Sequence, residues 1–480
     1  MAALALTAAT WSACSNVDEP TATEQPAQAR TYTLTTTLSP RDGGTRSTME
    51  YVNETTGITA EWEENDQIWV QYDDNSLAGT AETTATVTAV NPTTKAATIT
   101  VTLTDPKDDG NITFGYPLSH WNGTTDPDND QIGTLDDINA NHASIYGNGT
   151  LTVSGSDVTL VSPVTMNPEM CIWKFSFTDG TDDITSAVTK LVIDFPDNGT
   201  TYTVTPTSLS NIYVALYGDI VNNQPISITA KTATGVYRKS AASVTLAAGT
   251  TYISTAVALT SAAAANAVAG DIGKVIGADG NIYPNVDIAT TFGTTATAAI
   301  AYVGSVSNYF TKFLAIAVSD ANDSQLTWAD ALTAIGTYAS AHPITIGSTT
   351  YNSSNAWTQK YDAVPSGNNS PSATASTMHQ GWRLPSVTDW RYIFQGLGGP
   401  SAISPVGVTD NAVYGTWSDL RDAINRACGN TALQSAGYWS SSEYTSYSNY
   451  AWGYGFLSDD GKFWWSTKTN PWYARPVLAY

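Results

Sequence analysis

The stretch KFWWSTKTNPWY (462–473) sets Phe463, Trp464, Trp465, Trp472 and Tyr473 among Ser, Thr, Asn and Lys. Tyr and Trp give large amphipathic contact area for few rotatable bonds. Ser, Gly and Asn give adaptable hydrogen bonds, and antibody combining sites use the same mixture. The chemistry of such a stretch is recognition. The competing reading, that these aromatics pack a core, suits Trp439 and Trp452. It suits Tyr447, Tyr450, Trp464 and Trp465 poorly, because adjacent strand residues face opposite sides. Residues for catalysis are not grouped. His120, His142, His342 and His379 are scattered, and no Ser-His-Asp spacing or phosphate loop stands out. Cys171 and Cys428 show no metal-type spacing and no obvious disulfide, and are expected as small buried side chains. No enzyme, no metal and no cofactor is expected.

A chain of 480 residues holds two to four domains. Charged residues make up only 13%, and Thr, Ser, Ala, Gly and Asn fill the gap. Net charge is −23, spread along the chain, with no Lys/Arg cluster. That argues against a nucleic-acid partner, whose binding rests on such clusters, and reads as solubility. The opening MAALALTAATWSACSNVDEP places a short apolar run before Ser12-Ala13-Cys14. It resembles a bacterial lipoprotein signal, in which Cys14 would be lipidated; an ordinary secretory signal is the alternative. Trp11 stands where Leu is usual, and no Lys or Arg precedes the apolar run. Residues 1–14 are then signal and 15–30 a polar, Pro-containing tether. The implied location is the cell surface, as an outer-membrane lipoprotein held by a lipid anchor and not by a spanning helix.

The elements that must carry the aromatic stretch divide the chain. From Thr31 to Leu259 short strands such as TYTLTTTL, QIWVQY, MCIWKFSF and KLVIDF alternate with turn signals, and none of it holds a helical period. This predicts two tandem β-sandwiches, over 31–165 and 166–262. A composition change at TSAAAANAVAGDIGKVIGADG marks the next boundary. Beyond it three helices are predicted: LTWADALTAIGTYASAH with Thr327 as cap, SVTDWRYIFQGL starting at Ser386 and Asp389, and TWSDLRDAINRACG stopped by Gly429. The final runs return to strand. The fold class is therefore mainly β, with a C-terminal α+β domain over 263–480.

The first half resembles the Bacteroidales fimbrillin-like family, the subunits of type V pili. The residues that carry this are Cys14, Thr45-Arg46, WEENDQIWVQY (62–72), CIWKFSF and LAAGTTYISTAVAL. The resemblance implies cleavage after Arg46, with Arg41 and Arg30 as competing sites. Loss of TYTLTTTL (31–38) would leave a groove, filled by an extended segment of another pilin subunit through donor-strand exchange.

The C-terminal domain resembles the C-type-lectin-like fold, in the branch with Fibrobacter paralogous domains and formylglycine-generating enzymes. The carriers are GWRLPSVTDWRYIF (381–394) and GYWSSSEY (437–444). Trp382, Leu384, Trp390 and Phe394 are expected in the core and Arg383 as a buried-edge hydrogen-bonder. Formylglycine-generating enzymes need a reactive cysteine pair near the C-terminus, whereas this domain has only Cys428. Sugar-binding C-type lectins hold calcium, but Thr469-Asn470-Pro471 and Ser458-Asp459-Asp460 lack the carboxylates for about six to eight oxygen ligands.

Within that branch, YWSSSEY, NYAWGYGF and YARPVLAY are similar to the variable proteins of diversity-generating retroelements. That resemblance implies a hypervariable region over 438–480, rewritten at template adenines. Ser446, Tyr447, Ser448, Asn449, Tyr450, Tyr454, Phe456, Ser458, Asp459, Asp460, Phe463, Ser466, Thr467, Asn470 and Tyr473 fit the products of an Asn-type AAY codon. Trp452 reads as fixed framework. Trp464, Trp465 and Trp472 are either framework or products of another codon such as AGG. These eighteen positions, without Trp452, are the expected ligand-binding set. The implied function is adhesion: a pilus tip subunit binding a protein or glycan on a host, bacterial or phage surface. The alternative is a monomeric surface lipoprotein that binds a ligand and never polymerises.

Overall fold

The computed structural model describes residues 30–40, 50–53, 57–59, 62–75, 79–121, 129–217, 223–364, 378–398, 413–429, 433–456 and 460–480. Cys14, the tether as far as residue 29, Arg41, Arg46, Ser458 and Asp459 lie outside the described residues. The chain forms two compact units, the first within 1–47, 60–126 and 144–167, the second within 48–59, 127–143 and 168–480.

The first unit is built from β1 (Thr31–Pro40), β2 (Gln67–Asp73), β3 (Thr80–Val90), β4 (Ala97–Thr104), β5 (Asn111–Tyr116), β6 (Ile145–Ser154), β7 (Asp157–Leu160) and β8 (Val164–Pro168). The two layers expected of a sandwich are one continuous sheet here. It runs β7-β6-β8-β1-β4-β3-β2-β5 and closes on itself because β5 also pairs with β6. Strand β1 is internal. It pairs antiparallel with β4 from Thr31↔Thr104 to Leu38↔Ala97, and parallel with β8 at Leu38↔Val164. Its sequence alternates, so Tyr32, Leu34 and Leu38 enter the core while Thr31, Thr33, Thr35 and Thr37 face water.

The second unit contains the second sandwich and the α+β domain. The sandwich sets a three-stranded sheet of β12 (Ile212–Tyr217), β9 (Met170–Thr178) and β15 (Thr251–Ala258) against a larger one. The larger sheet carries β10 (Lys190–Phe195), β11 (Thr200–Val204), β13 (Gln224–Lys231) and β14 (Val236–Val244). Phe175, Phe177, Leu191, Ile193 and Val214 fill the space between. One boundary differs from expectation. Asp130–Gln131, placed by sequence in the first sandwich, adds a parallel strand to β11. The Gln131 amide holds it there, donating to Ala215 O at 2.7 Å and accepting from Ala215 N at 2.8 Å.

The α+β domain has two sheets. The first takes Ile282–Tyr283, then β16 (Val275–Gly277), β17 (Ala296–Val303), β18 (Phe313–Ala317), β25 (Val477–Ala479) and β20 (Gly381–Arg383). The second runs β19 (Asp362–Val364), β22 (Gly437–Tyr444), β23 (Tyr450–Gly455), β24 (Asp460–Thr467) and β21 (Val413–Thr416). Helices α1 (Trp328–Ala341), α2 (Val387–Leu397) and α3 (Trp417–Ala427) fall where their caps predict. Thr327 accepts from Asp330 N, and Ser386 with Asp389 forms a reciprocal capping box. Among the described residues no helix is long and apolar enough to cross a membrane.

The sandwich and this domain share buried contacts. Val192 and Val236 join the domain's core. Lys190 Nζ donates to Thr291 O at 2.8 Å and Lys231 Nζ to Phe292 O at 3.1 Å, both at the C-terminal end of the short Val286–Thr291 helix. Two cations there satisfy carbonyls that the helix leaves open and oppose its dipole. Beside them, buried Arg238 pairs with buried Asp271, with Nη2 to Oδ2 at 2.7 Å.

Candidate functional site

The candidate site is the end of the second sheet where β22, β23 and β24 meet the 445–449 loop. In the β23–β24 hairpin, Tyr454 opposes Phe463, Trp452 opposes Trp465, Gly453 opposes Trp464, and Tyr450 opposes Thr467. Cross-strand partners share a face, so Trp464 and Trp465 lie on opposite faces. Toward the Tyr454 end the first face is core. Toward the Tyr450 end it opens to solvent. There Tyr444, only 7% exposed, lies between two near-parallel rings. Tyr447 sits at 6.0 Å and 22°, and Trp465 at 5.5 Å and 19°. Tyr450 closes the group edge-on against Trp465 at 5.0 Å, and Trp452 supports Tyr444 from below at 5.4 Å. The rings hold one another in place without a ligand.

A charged trio fixes the loop. Glu443 accepts from Lys360 Nζ at 2.6 Å and from Lys468 Nζ. Lys468 also donates to Ser448 O at 2.6 Å, its backbone N–H to Asn449 O at 3.0 Å, and its ammonium lies over Trp328 at 4.3 Å. Burial raises the Glu443 pKa, but the hydrogen bonds and charges of the two lysines more than offset this and hold it below the usual carboxylate range. Sequence reading missed this trio, because residues 360, 443 and 468 share no motif.

The opposite face is closed by Trp472. Its indole lies over Gly437 and Gly453, where an added Cβ would come within 2.5 Å and 2.1 Å of the ring. It packs on Trp439 with centroids 4.6 Å apart and planes tilted by 31°, and exchanges backbone hydrogen bonds with Leu326 at 2.7 and 3.0 Å. Replacing Gly453 by Ala is expected to dislodge this indole and cost about 1–3 kcal/mol. Denaturant melts of the variant would check the cost, and rising Trp accessibility to a quencher would locate it.

The expected ligand-binding set therefore divides. Tyr447 (59% exposed), Trp464 (44%) and Trp465 (41%) are the exposed large aromatics among the described residues. Ser446, Ser448, Asn449 and Asn470 are exposed beside them, and Tyr450 and Thr467 are half-buried. Tyr454, Phe456 and Phe463 are fully buried and Ser466 nearly so, which corrects their assignment to a solvent-facing surface. The three aromatics lie on the stretch of hairpin that packs on Trp390 and Phe394 of α2, whereas Ser466 lies on the other face, opposite Ala451, and accepts from Asn470. Trp472 and Tyr473 are half-buried and held by backbone bonds to Leu326, Gly437 and Trp439, so they frame the face. Asp460 opens β24 opposite Thr416.

No protein-family model and no curated protein sequence matches the chain. Solved structures do. The chain is similar to a fimbrial protein from Bacteroides ovatus at 12% identity, over 95% of this chain and 100% of that one, with a TM-score of 0.26. It is similar to a fimbrial assembly protein from Parabacteroides distasonis at 10% identity, over 47% of this chain and 92% of that one, TM-score 0.29. A candidate cell adhesion protein from Bacteroides uniformis matches at 12% identity, over 47% and 96% of the two chains, TM-score 0.28.

Elsewhere in the domain the titratable groups are structural. Arg383 is fully buried. It pairs with Asp389 through two bonds of 3.1 and 2.7 Å, donates to Tyr309 O and His379 O, and lies under the Tyr361 ring at 4.3 Å. Burial pushes the Asp362 carboxyl up to about 6, against hydrogen bonds from Ser442 and Tyr309. Burial likewise pushes the Cys428 thiol up to about 11, which keeps it protonated and unreactive. No grouping of three or more His, Cys, Asp or Glu able to hold a metal occurs among the described residues.

Proposed function

We propose that this chain is a cell-surface adhesin subunit whose C-terminal domain presents a ligand-binding face, diversified by a retroelement and carried at the tip of a type V pilus. The observation that carries the reading is the convergence of Tyr447, Tyr450 and Trp465 around Tyr444 at one sheet end, with Tyr447 and Trp465 each more than two-fifths exposed. Large aromatics held out in water by their own packing are a surface built to be covered. The neighbouring 445–449 loop is exposed throughout, so its side chains can change without disturbing the core. The two sandwiches serve assembly. Cleavage after Arg46 would release β1 and bare the facing edges of β4 and β8, together with the sites filled by Tyr32, Leu34 and Leu38. A strand from another subunit would restore both ladders.

What supports the tip reading is the place of β25. It is hydrogen-bonded to β18 on one side and β20 on the other, with Val477, Leu478 and Ala479 fully buried. Donating this strand would open the sheet between β18 and β20, so β25 is poorly suited to act as a donor. Before processing, a lipid on Cys14 would anchor it to the outer membrane.

Mass spectrometry of protein extracted from the cell surface tests the assembly reading. An N-terminus at Ser47 is expected. Surface protein that keeps a lipidated Cys14 throughout would overturn assembly and leave a monomeric lipoprotein. Flanking DNA that holds a near-copy of the 438–480 coding segment beside a reverse transcriptase gene is the expected mark of diversification.

A further inference from the structure

The aromatic face offers more than contact area, because its chemistry discriminates between ligand classes. Among the described residues, the charged side chains tied to it are Lys360, Glu443 and Lys468, and both lysines are paired with the one carboxylate. Lys468 is further committed to Ser448 O and the Trp328 ring. What the face presents outward is therefore ring surface from Tyr447, Tyr450 and Trp465, rimmed by neutral hydrogen-bonding groups. Ser446, Ser448 and Asn449 of the 445–449 loop are all exposed. Such a face matches an uncharged ligand that has apolar C–H surface on one side and hydroxyls around its edge.

We propose that this face takes a neutral glycan, one pyranose ring seated on the Tyr447–Tyr450–Trp465 cluster and its hydroxyls bonded to the serine and asparagine rim. The inference rests on the adhesin reading and names its ligand class. A sugar ring places polarised C–H groups on one face, and these are attracted to the negative face of an aromatic ring. The four mutually packed rings are already ordered, so binding costs little further side-chain ordering. A chain of net charge −23 also disfavours sialylated or sulfated glycans by repulsion, and both lysines beside the face are already paired with Glu443. Direct stacking requires no metal.

The test uses the full chain on an array of neutral, sialylated and sulfated glycans, in buffer with and without a chelator. It is paired with binding to whole cells treated with periodate or with protease. Binding to neutral glycans is expected, unchanged by the chelator, and cell binding should fall at least ten-fold after periodate. Trp465→Ala should lose at least ten-fold in binding. Tyr447→Ser alters a ring that is mostly in water, so it should keep the parent melting curve and still lose several-fold. Cell binding that survives periodate but not protease would overturn the glycan assignment and leave the adhesin standing. So would a preference for anionic glycans, loss of binding in chelator, or unchanged binding by both variants. Failure to bind any cell surface would overturn the adhesin reading itself, and this inference with it.

Discussion

Replacing Arg383 by methionine is expected to cost about 3–5 kcal/mol of domain stability. The guanidinium has no exposed surface and satisfies Asp389, two backbone carbonyls and the Tyr361 ring together. Methionine has similar bulk, so the core is not emptied, but the Asp389 carboxyl is left fully buried with no cation beside it. That carboxylate also caps α2 through Ser386, so the helix start should fray with the pair. Urea melts followed by Trp fluorescence would give the cost, and hydrogen exchange at Val387–Asp389 would place it. The double variant Arg383→Met with Asp389→Leu separates two explanations. If an uncompensated charge is the cause, the double variant recovers much of the loss, because a buried ion pair replaced by apolar groups is often near neutral. If packing of the arginine stem is the cause, the losses add.

Arg238→Ala is expected to be costly at a different place, by up to about 3–5 kcal/mol, because a buried carboxylate loses one of its two cations and keeps only Lys274. The Asp271 carboxyl is raised by burial, but the bond and charge of Arg238, the Val268 N–H and Lys274 outweigh this and hold it below the usual range. A depressed folded value means the stabilisation is fully present above the unfolded carboxylate range, near pH 4, and is lost as pH falls through the folded value. The parent should therefore lose stability on acidification below about pH 4, and Arg238→Ala should lose most of that dependence. The pair also joins the second sandwich to the α+β domain. Calorimetry of the parent should show these two parts melting together, and of the variant in two separated transitions. A single transition in both would mean that Val192, Val236, Lys190 and Lys231 suffice to couple them.

Where local chemistry decides structure, the sequence was readable. Thr327, Ser386 and Asp389 announce helix starts because a short polar side chain ahead of an apolar period has little else to do. Arg383 was expected as a buried-edge hydrogen-bonder from the resemblance carried by GWRLPSVTDWRYIF, and it is fully buried. Long-range pairing was not readable. Nothing local tells Asp130–Gln131 to join β11, or β5 to meet β6 and close the first sheet. The candidate site failed in the same way. Tyr454, Phe456, Phe463 and Ser466 match the composition of a binding surface residue by residue. Burial of the three aromatics depends on where along the hairpin α2 crosses. One signal was present and unused: glycines at 453 and 455, two apart on a strand, leave a bare stripe on one face that something large must cover. Trp472 covers it.

The position of β25 also governs when the domain can exist. The strand is synthesised after every segment it joins, and its neighbour β18 lies some 160 residues earlier in the chain. Contacts at such separation form slowly, because the loop must close before they contribute. Until Val477–Ala479 emerges, the first sheet has a gap between β18 and β20, and the aromatic hairpin has no completed support. The second sandwich can fold as it appears, whereas the α+β domain must wait for β25. A product truncated before β25 would thus carry no completed aromatic face. A frameshift upstream would remove the same strand and leave the domain unfolded.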